Sequence, residues 1–175
     1  MKISTRKLAA AAVIGAAYAA MTMLLAPMSF GVLQLRVAEA LCILPAFLPC
    51  AAWGLFAGCA ISNLLSVLGP LDVIFGSLAT LGACLCTAAL GKGRTMPLSL
   101  GRSIAVCLMP ALWNGPVIGA MLAYVAAPAS GFLAVFIPMG AQIFAEELAV
   151  LLVLGLPLLR LLPNSKPFME LIKKI

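Results

Sequence analysis

The chain has 175 residues, of which 65% are hydrophobic and 9% are charged, and its mean hydropathy is +1.20. Five acidic residues and no histidine leave too little polar surface to cover a water-soluble domain. The composition therefore excludes a soluble globule and predicts an integral membrane protein. A net charge of +6 would suggest a nucleic-acid partner in a soluble chain, but membrane topology explains it here, and we expect no nucleic acid.

The N-terminal apolar stretch follows three basic residues, yet it is long and others follow it, so we expect a retained helix rather than a cleaved signal. A helix needs about 20 apolar residues to cross the hydrocarbon. Cutting the chain at its proline, glycine and charged residues predicts one all-α membrane domain with six transmembrane helices, at residues 7–26, 36–48, 50–67, 71–90, 102–126 and 138–161. The second is short, and Pro45 and Pro49 interrupt it, which favours a tight hairpin or a partly re-entrant pair with the third.

The basic residues orient these helices, because cytoplasmic loops collect Lys and Arg. With six helices and a cytoplasmic N-terminus, Arg36 alone among the eleven basic residues lies outside. Five helices would put the C-terminal basic residues across the membrane from the others. We therefore predict a multi-pass protein of the bacterial cytoplasmic membrane with both termini cytoplasmic, ending in a basic tail at residues 162–175.

Rare polar side chains gather in the outer halves of the predicted helices. They are Arg36, Glu39, Asn63, Asp72, Asn114, Gln142, Glu146 and Glu147. Ionisable groups at membrane depth are costly unless they pair or line a wet cavity, so they are candidates for a functional site. The pattern predicts an outward-opening pocket for a small ligand rich in hydrogen-bond donors, and the carboxylates favour a cationic ligand over an anion.

The same residues also have structural interpretations. Arg36 and Glu39 lie three positions apart, which suits an interfacial ion pair. Asp72 follows a Gly-Pro-Leu turn, where a carboxylate stabilises the first turn of a helix. The two asparagines could equally hold helices together.

The sequence does not settle which way the side chains of two neighbouring pairs of residues point, or what they contact. Adjacent residues on a helix point about 100 degrees apart, so at most one of Glu146 and Glu147 can face the interior. Trp113, beside Asn114, could stack on a heterocyclic ligand or simply pack within the bundle.

The first helix carries a line of small residues, Ala12, Ala16 and Ala20, with Gly15 and Ala19 on the adjoining line. Small residues at this spacing allow another helix to approach closely in lipid. The line is either a docking surface for a partner or packing within the chain's own bundle.

No catalytic arrangement competes strongly with binding. The chain lacks histidine and has no HExxH, GxSxG or GxxxxGK[ST] motif. Its six cysteines fall in apolar stretches without metal-ligand spacing, so we expect small core residues and no disulfide, metal or cofactor. An intramembrane enzyme that uses the carboxylates as acid and base, and a structural or regulatory bundle without a ligand, are the alternatives to a binding protein.

Three sequence blocks carry a family resemblance: LQLRVAEALCILP, GLFAGCAISNLL and GPLDVIFGSLATL. Together with AVIGAAYAAMT, WNGPVIGA and EELAVLLVLGLPL they make nearly the whole chain resemble the QueT family, the substrate-binding (S) components of energy-coupling factor (ECF) transporters for queuosine precursors. The resemblance implies a six-helix component that binds a 7-deazaguanine from outside. It also implies that the chain works with a transmembrane coupling subunit and two cytoplasmic ATPase subunits. ATP hydrolysis would then belong to those subunits, and this chain would not be an enzyme. An S component for another small vitamin or heterocycle is the alternative.

The resemblance extends to single residues. It implies substrate contacts at Arg36, Glu39, Asn63, Asp72, Asn114 and Glu147, and docking on the coupling subunit at Ala12 and Ala16. Glu147 aligns with the acid of the family's Gly-Glu-Leu pattern, although Ala145 and Glu146 stand where Gly is usual. Met121 replaces an acidic residue that commonly follows the Asn-Gly block, which puts the identity or pose of the ligand in question.

The chemistry of a 7-deazaguanine suggests a role for each implied residue. The ring has N1–H and amino donors along one edge and a carbonyl acceptor beside them. We expect Glu147 or Glu39 to hold the donor edge, the two asparagines to serve the rest of the ring, and Asp72 to meet the aminomethyl cation of preQ1. Arg36 and Glu39 would form the outer lip, where they touch ligand or fix a covering loop at residues 28–35. The choice among preQ1, preQ0 and queuine stays open.

Overall fold

The computed structural model describes residues 4–30, 35–126 and 131–175, and every regular element within these ranges is helical. The α-helices, in chain order, are α1 Thr5–Leu24, α2 Ala26–Ser29, α3 Ala51–Ser62, α4 Ser77–Gly91, α5 Leu100–Ala126, α6 Phe132–Val150, α7 Leu156–Leu161 and α8 Lys166–Lys174. Shorter helical forms connect them: the 3-10 segments Val37–Ala46, Asn63–Leu65 and Leu162–Asn164, and the π-helical turns Asp72–Gly76 and Leu151–Gly155.

Four helical stretches are long and apolar enough to cross a membrane: Thr5–Leu24, Asp72–Gly91, Leu100–Ala126 and Phe132–Asn164. They occupy the places of the first, fourth, fifth and sixth predicted helices. The second and third places hold shorter apolar helices, Val37–Ala46 and Ala51–Leu65. An all-helical membrane protein is therefore confirmed, while the count of six spans stays a prediction.

The second predicted helix is a 3-10 helix, which the sequence did not indicate. Pro45 lies inside it and cannot donate a backbone hydrogen bond. Ten residues at about 2.0 Å each give a length of about 20 Å. Its last residue, Ala46, packs against Gly91 at the end of α4. This short helix thus runs alongside α4 for much of its length.

The sixth helix begins at Phe132, well before the predicted boundary at residue 138. Pro138 lies inside α6, and prolines are tolerated in membrane helices because neighbouring groups re-satisfy the freed carbonyl. At about 1.5 Å per residue, Gln142 and Glu147 lie about 15 and 22 Å from the start of α6. The acidic residues of this helix therefore lie farther from its start than a helix beginning at residue 138 implies.

α1 and α3 pack with their backbones in contact. A Cβ atom built on Gly58 would lie 2.3 Å from the carbonyl oxygen of Gly15, and one built on Gly54 would lie 2.0 Å from that of Ala11. Gly54 and Gly58 are four residues apart, so they form a groove of the small-xxx-small type that admits α1. The apolar core beside this contact contains Tyr18, Leu55 and three buried cysteines.

The chain's first and last helices meet at one end of the molecule. The Arg6 guanidinium donates a hydrogen bond to the Lys174 carbonyl over 3.0 Å, and the Phe168 ring of α8 stands edge-on to Phe47 at 5.4 Å. A neighbouring cavity against Phe47 is lined by Lys92 and Arg94. We call this end of the molecule, which contains Arg6, Lys92, Arg94 and Lys174, the basic end. The predicted tail is therefore, over most of its length, a helix folded back against the bundle.

Candidate functional site

Asp72, at the start of the π-helical turn before α4, is the centre of one group of polar contacts. Its Oδ2 atom lies 3.7 Å from Nη2 of Arg36, and both side chains are buried. The Ser66 hydroxyl donates to the same oxygen. The Arg36 guanidinium also lies over the Phe30 ring, 5.4 Å from its centroid. An ion pair of Arg36 with Glu39 was one of the open interpretations, and the geometry instead places the Arg36 guanidinium beside Asp72. Asp72 therefore does more than begin a helix.

Asn63 joins the end of α3 to this group. Its Nδ2 atom donates to the Asp72 carbonyl over 2.9 Å, and the residue is fully buried. A Cβ atom on Gly76 would lie 2.7 Å from that Nδ2 atom. Position 76 must therefore be glycine for the Asn63 amide to reach the backbone of the next helix.

Glu39, on the 3-10 helix, is fully buried and accepts two hydrogen bonds. The Tyr18 hydroxyl of α1 donates to its Oε1 atom, and the Cys42 thiol donates to Oε2 over 3.0 Å. A buried carboxylate is costly unless its oxygens are hydrogen-bonded. Both oxygens of Glu39 are thus engaged by the protein itself.

A second group joins α5 to α6. The Asn114 amide donates to Oε1 of Glu147 over 3.0 Å, and both residues are buried. α6 also contacts the 3-10 helix that carries Glu39. We refer to the buried polar residues of both groups together as the buried polar cluster: Arg36, Glu39, Asn63, Asp72, Asn114 and Glu147.

Three acceptor oxygens of the cluster have no hydrogen-bond partner among the residues that the structure describes. They are Oδ1 of Asn63, Oδ1 of Asp72 and Oε2 of Glu147. A buried acceptor without a donor costs about 1–3 kcal/mol. A fold that keeps three such atoms in one cluster is suited to a ligand that brings donors to them.

The sequence profile of the QueT transporter family matches residues 8–164, which is most of the chain. The chain belongs to the QueT transporter family. No curated protein and no solved structure gives a significant match. The family resemblance seen in the sequence blocks is thereby confirmed, and with it a membrane transport protein rather than an enzyme.

In this QueT family member the two glutamates of α6 face different ways. Glu147 is 5% exposed and points into the cluster. Glu146 is only partly buried and accepts a hydrogen bond from the Gln142 amide over 2.8 Å on the outer side of α6. Gln142 is exposed. The structure therefore brings Glu147 into the cluster and leaves Gln142 and Glu146 outside it.

Trp113 also lies outside the cluster. Its indole packs against Gly82 of α4, and 39% of its surface is exposed. Met121, in place of the family's common acid, is buried in an apolar group with Ile118 and Ile143. The geometry of Trp113 matches bundle packing, and the position of Met121 adds no polar group to the cluster.

The two lines of small residues on α1 have different surroundings. Gly15 packs on α3, whereas Ala12, Ala16 and Ala20 are all exposed on the opposite face. The exposed line is thus not used by the chain's own described helices.

Tyr18, Cys42 and Ser66 contact the cluster, and we did not predict them. Tyr18 is the polar aromatic residue of an alanine-rich helix and lies three positions after Gly15, which places it on the packed face. That spacing is the sequence feature that could have indicated a buried position for Tyr18. The part of the expected covering loop at residues 31–34, including Gln34, lies outside the described residues.

Proposed function

We propose that the protein is the membrane-embedded substrate-binding subunit of an ECF-type importer, which captures a 7-deazaguanine queuosine precursor from outside. It would deliver the precursor inward together with a coupling transmembrane subunit and two ATPase subunits. The observation that carries the proposal is the buried polar cluster with its three unpartnered acceptors in a QueT family chain. A 7-deazaguanine offers a row of N–H donors, which is the complementary pattern.

Glu147 is our choice for the donor edge of the ring. Glu39 already accepts from Tyr18 and Cys42, so its oxygens are committed. Glu147 accepts from Asn114 at one oxygen, and its Oε2 atom has no donor in the part of the chain that the structure describes. Hydrogen bonds to a charged group contribute about 1.5–3 kcal/mol each, so this contact would dominate the affinity.

Asp72 is our choice for the aminomethyl cation of preQ1. Its Oδ2 atom is paired with Arg36, while Oδ1 is unpartnered within the described ranges. Three carboxyl groups and one guanidinium make the cluster acidic when all are charged, which favours a cationic ligand. Asn63, whose Oδ1 atom is also unpartnered, would accept from the ring.

The proposed topology has six spans with the basic end in the cytoplasm. The basic end gathers Arg6, Lys92, Arg94 and Lys174, as the preference of Lys and Arg for cytoplasmic loops requires. Arg36 and Asp72 would then lie towards the outer side. The exposed line at Ala12, Ala16 and Ala20 would dock on the coupling subunit.

The test is calorimetric binding of preQ1, preQ0, queuine and guanine to the detergent-purified protein, with riboflavin and thiamine as further ligands. We expect one 7-deazaguanine to bind best, and Glu147→Gln to weaken it about tenfold or more. Glu146→Gln is the matched control, because it removes the neighbouring charge outside the cluster, and it should change the affinity less than threefold. Binding of riboflavin or thiamine alone would move the assignment to another S-component substrate. Equal loss in both variants would refute the role of Glu147.

A further inference from the structure

A groove at the basic end is separate from the polar cluster. The first turns of α1, the end of the 3-10 helix and α8 form its walls, and its volume is about 570 Å³. Ligand pockets in proteins commonly measure about 300 to 1,000 Å³. Within residues 4–30, 35–126 and 131–175, every residue that lines it is apolar apart from Arg6 and Lys174.

α8 supplies the wall that faces away from the bundle. Phe168, Leu171, Ile172 and Ile175 line the groove at helical spacing. The charged residues Lys166, Glu170 and Lys173 are exposed and do not line it. A short helix with one apolar and one charged face lies in the plane of the membrane surface, at the depth of the lipid headgroups.

The two cations lie where the apolar walls end. Arg6 reaches across to the Lys174 carbonyl, which fixes its guanidinium beside the last turn of α8. A guanidinium has five N–H donors in a planar fork that suits phosphate, and an ammonium adds three more. Among the residues that the structure describes, none that lines the groove is acidic. Its occupant therefore needs an apolar tail and an anionic head.

We propose that this groove binds one anionic phospholipid of the bilayer, with an acyl chain between α1 and α8 and its phosphate at Arg6 and Lys174. The site holds a lipid at the basic end, whereas the polar cluster lies near the opposite end of α1. Lipid binding here does not depend on which substrate the cluster takes, so the two proposals fail separately.

Native mass spectrometry of the full-length protein tests the site, with phosphatidylglycerol or phosphatidylcholine added to the micelles. We expect one retained phosphatidylglycerol and an affinity about tenfold above that for phosphatidylcholine. Arg6→Gln combined with Lys174→Gln should remove that preference. Arg160→Gln combined with Lys166→Gln is the matched control, since it removes two positive charges near α8 that do not line the groove, and it should keep the preference.

Filling the groove tests the acyl-chain part. Ala10→Phe should abolish retention of either lipid, and Val13→Trp, at a residue that is 69% exposed, does the same from the rim with less risk to folding. A monodisperse size-exclusion peak and an unchanged Tm show that the fold of these variants is intact. Equal affinity for both lipids, or full retention in both filled variants, overturns the proposal. Loss of coupling-subunit binding with lipid retention unchanged would assign the groove to a protein partner and overturn it as well.

Discussion

Tyr18→Phe should destabilise the protein by removing the hydroxyl that α1 donates to Glu39. Both residues are fully buried, so no solvent replaces the lost donor. A hydrogen bond to a charged group contributes about 1.5–3 kcal/mol, and Glu39 keeps only its bond from Cys42. For a chain of this size each kcal/mol shifts Tm by about 2–4 °C, so we expect a loss of roughly 3–12 °C.

The assay is thermal unfolding in detergent, followed by the fluorescence of Trp53 and Trp113. Tyr124→Phe is the matched control, because it makes the same chemical change at a residue that is 77% exposed. Its Tm should stay within about 1 °C of the parent, since isolated surface changes stay within about 0.5 kcal/mol.

A double-mutant cycle with Glu39→Gln separates the hydrogen bond from the packing of the ring. A neutral amide at position 39 would reduce the bond to about 0.5–1.5 kcal/mol, so Tyr18→Phe should cost less in that background. An unchanged Tm for Tyr18→Phe, or the same cost in both backgrounds, would refute the reasoning.

Three further variants test separate parts of the molecule. Asp72→Asn should reduce the preference for cationic preQ1 over neutral preQ0 by about tenfold in calorimetry, and an unchanged ratio would contradict the proposed role of that carboxylate. Ala16→Leu should keep ligand affinity but lose co-purification with the proposed coupling subunit. Ala17→Leu changes a neighbouring exposed position and should still co-purify with that subunit. The same loss in both variants would count against the docking face. Gly58→Leu should abolish monodisperse protein in size-exclusion chromatography because its side chain meets the backbone of α1, while Gly101→Leu, in open space, should behave like the parent. A monodisperse Gly58→Leu protein would show that the two helices do not pack as closely as described.

The sequence predicted where helices lie along the chain, but not whether a segment is α-helical, 3-10 or π-helical. Pro138 was taken as a helix boundary, which was wrong because α6 continues through it. In a membrane a helix keeps its internal hydrogen bonds because no water competes for them, so one proline ends a helix less often than in a soluble protein. The 3-10 helix Val37–Ala46 contacts α4 and several other helices, and these contacts join parts of the chain whose proximity the sequence does not show.

The polar residues of the cluster were predicted by their rarity, but their orientation was not. Glu146 and Glu147 differ in burial, yet both lie in a helix that is apolar on all sides, so no hydrophobic face marks the interior. The pairing of Arg36 with Asp72 joins segments far apart in sequence, and only the fold sets it. The spacing of Tyr18 from Gly15 indicated the packed face of α1, but its contact with Glu39 joins segments 21 residues apart, and only the fold sets it.

The glycine contact between α1 and α3 has a mechanical consequence. No side chains separate the two backbones at Gly15, Gly54 and Gly58, so a larger residue at any of these positions would push the two helices apart. We expect α1 and α3 to move together. This pair carries the exposed alanines on one side and Tyr18 and Asn63 on the other. Should the exposed alanines dock on the proposed coupling subunit, a shift of α1 and α3 would reach Glu39 through Tyr18 and Asp72 through Asn63. Any effect of docking on ligand affinity would then be matched by an equal effect of the ligand on docking.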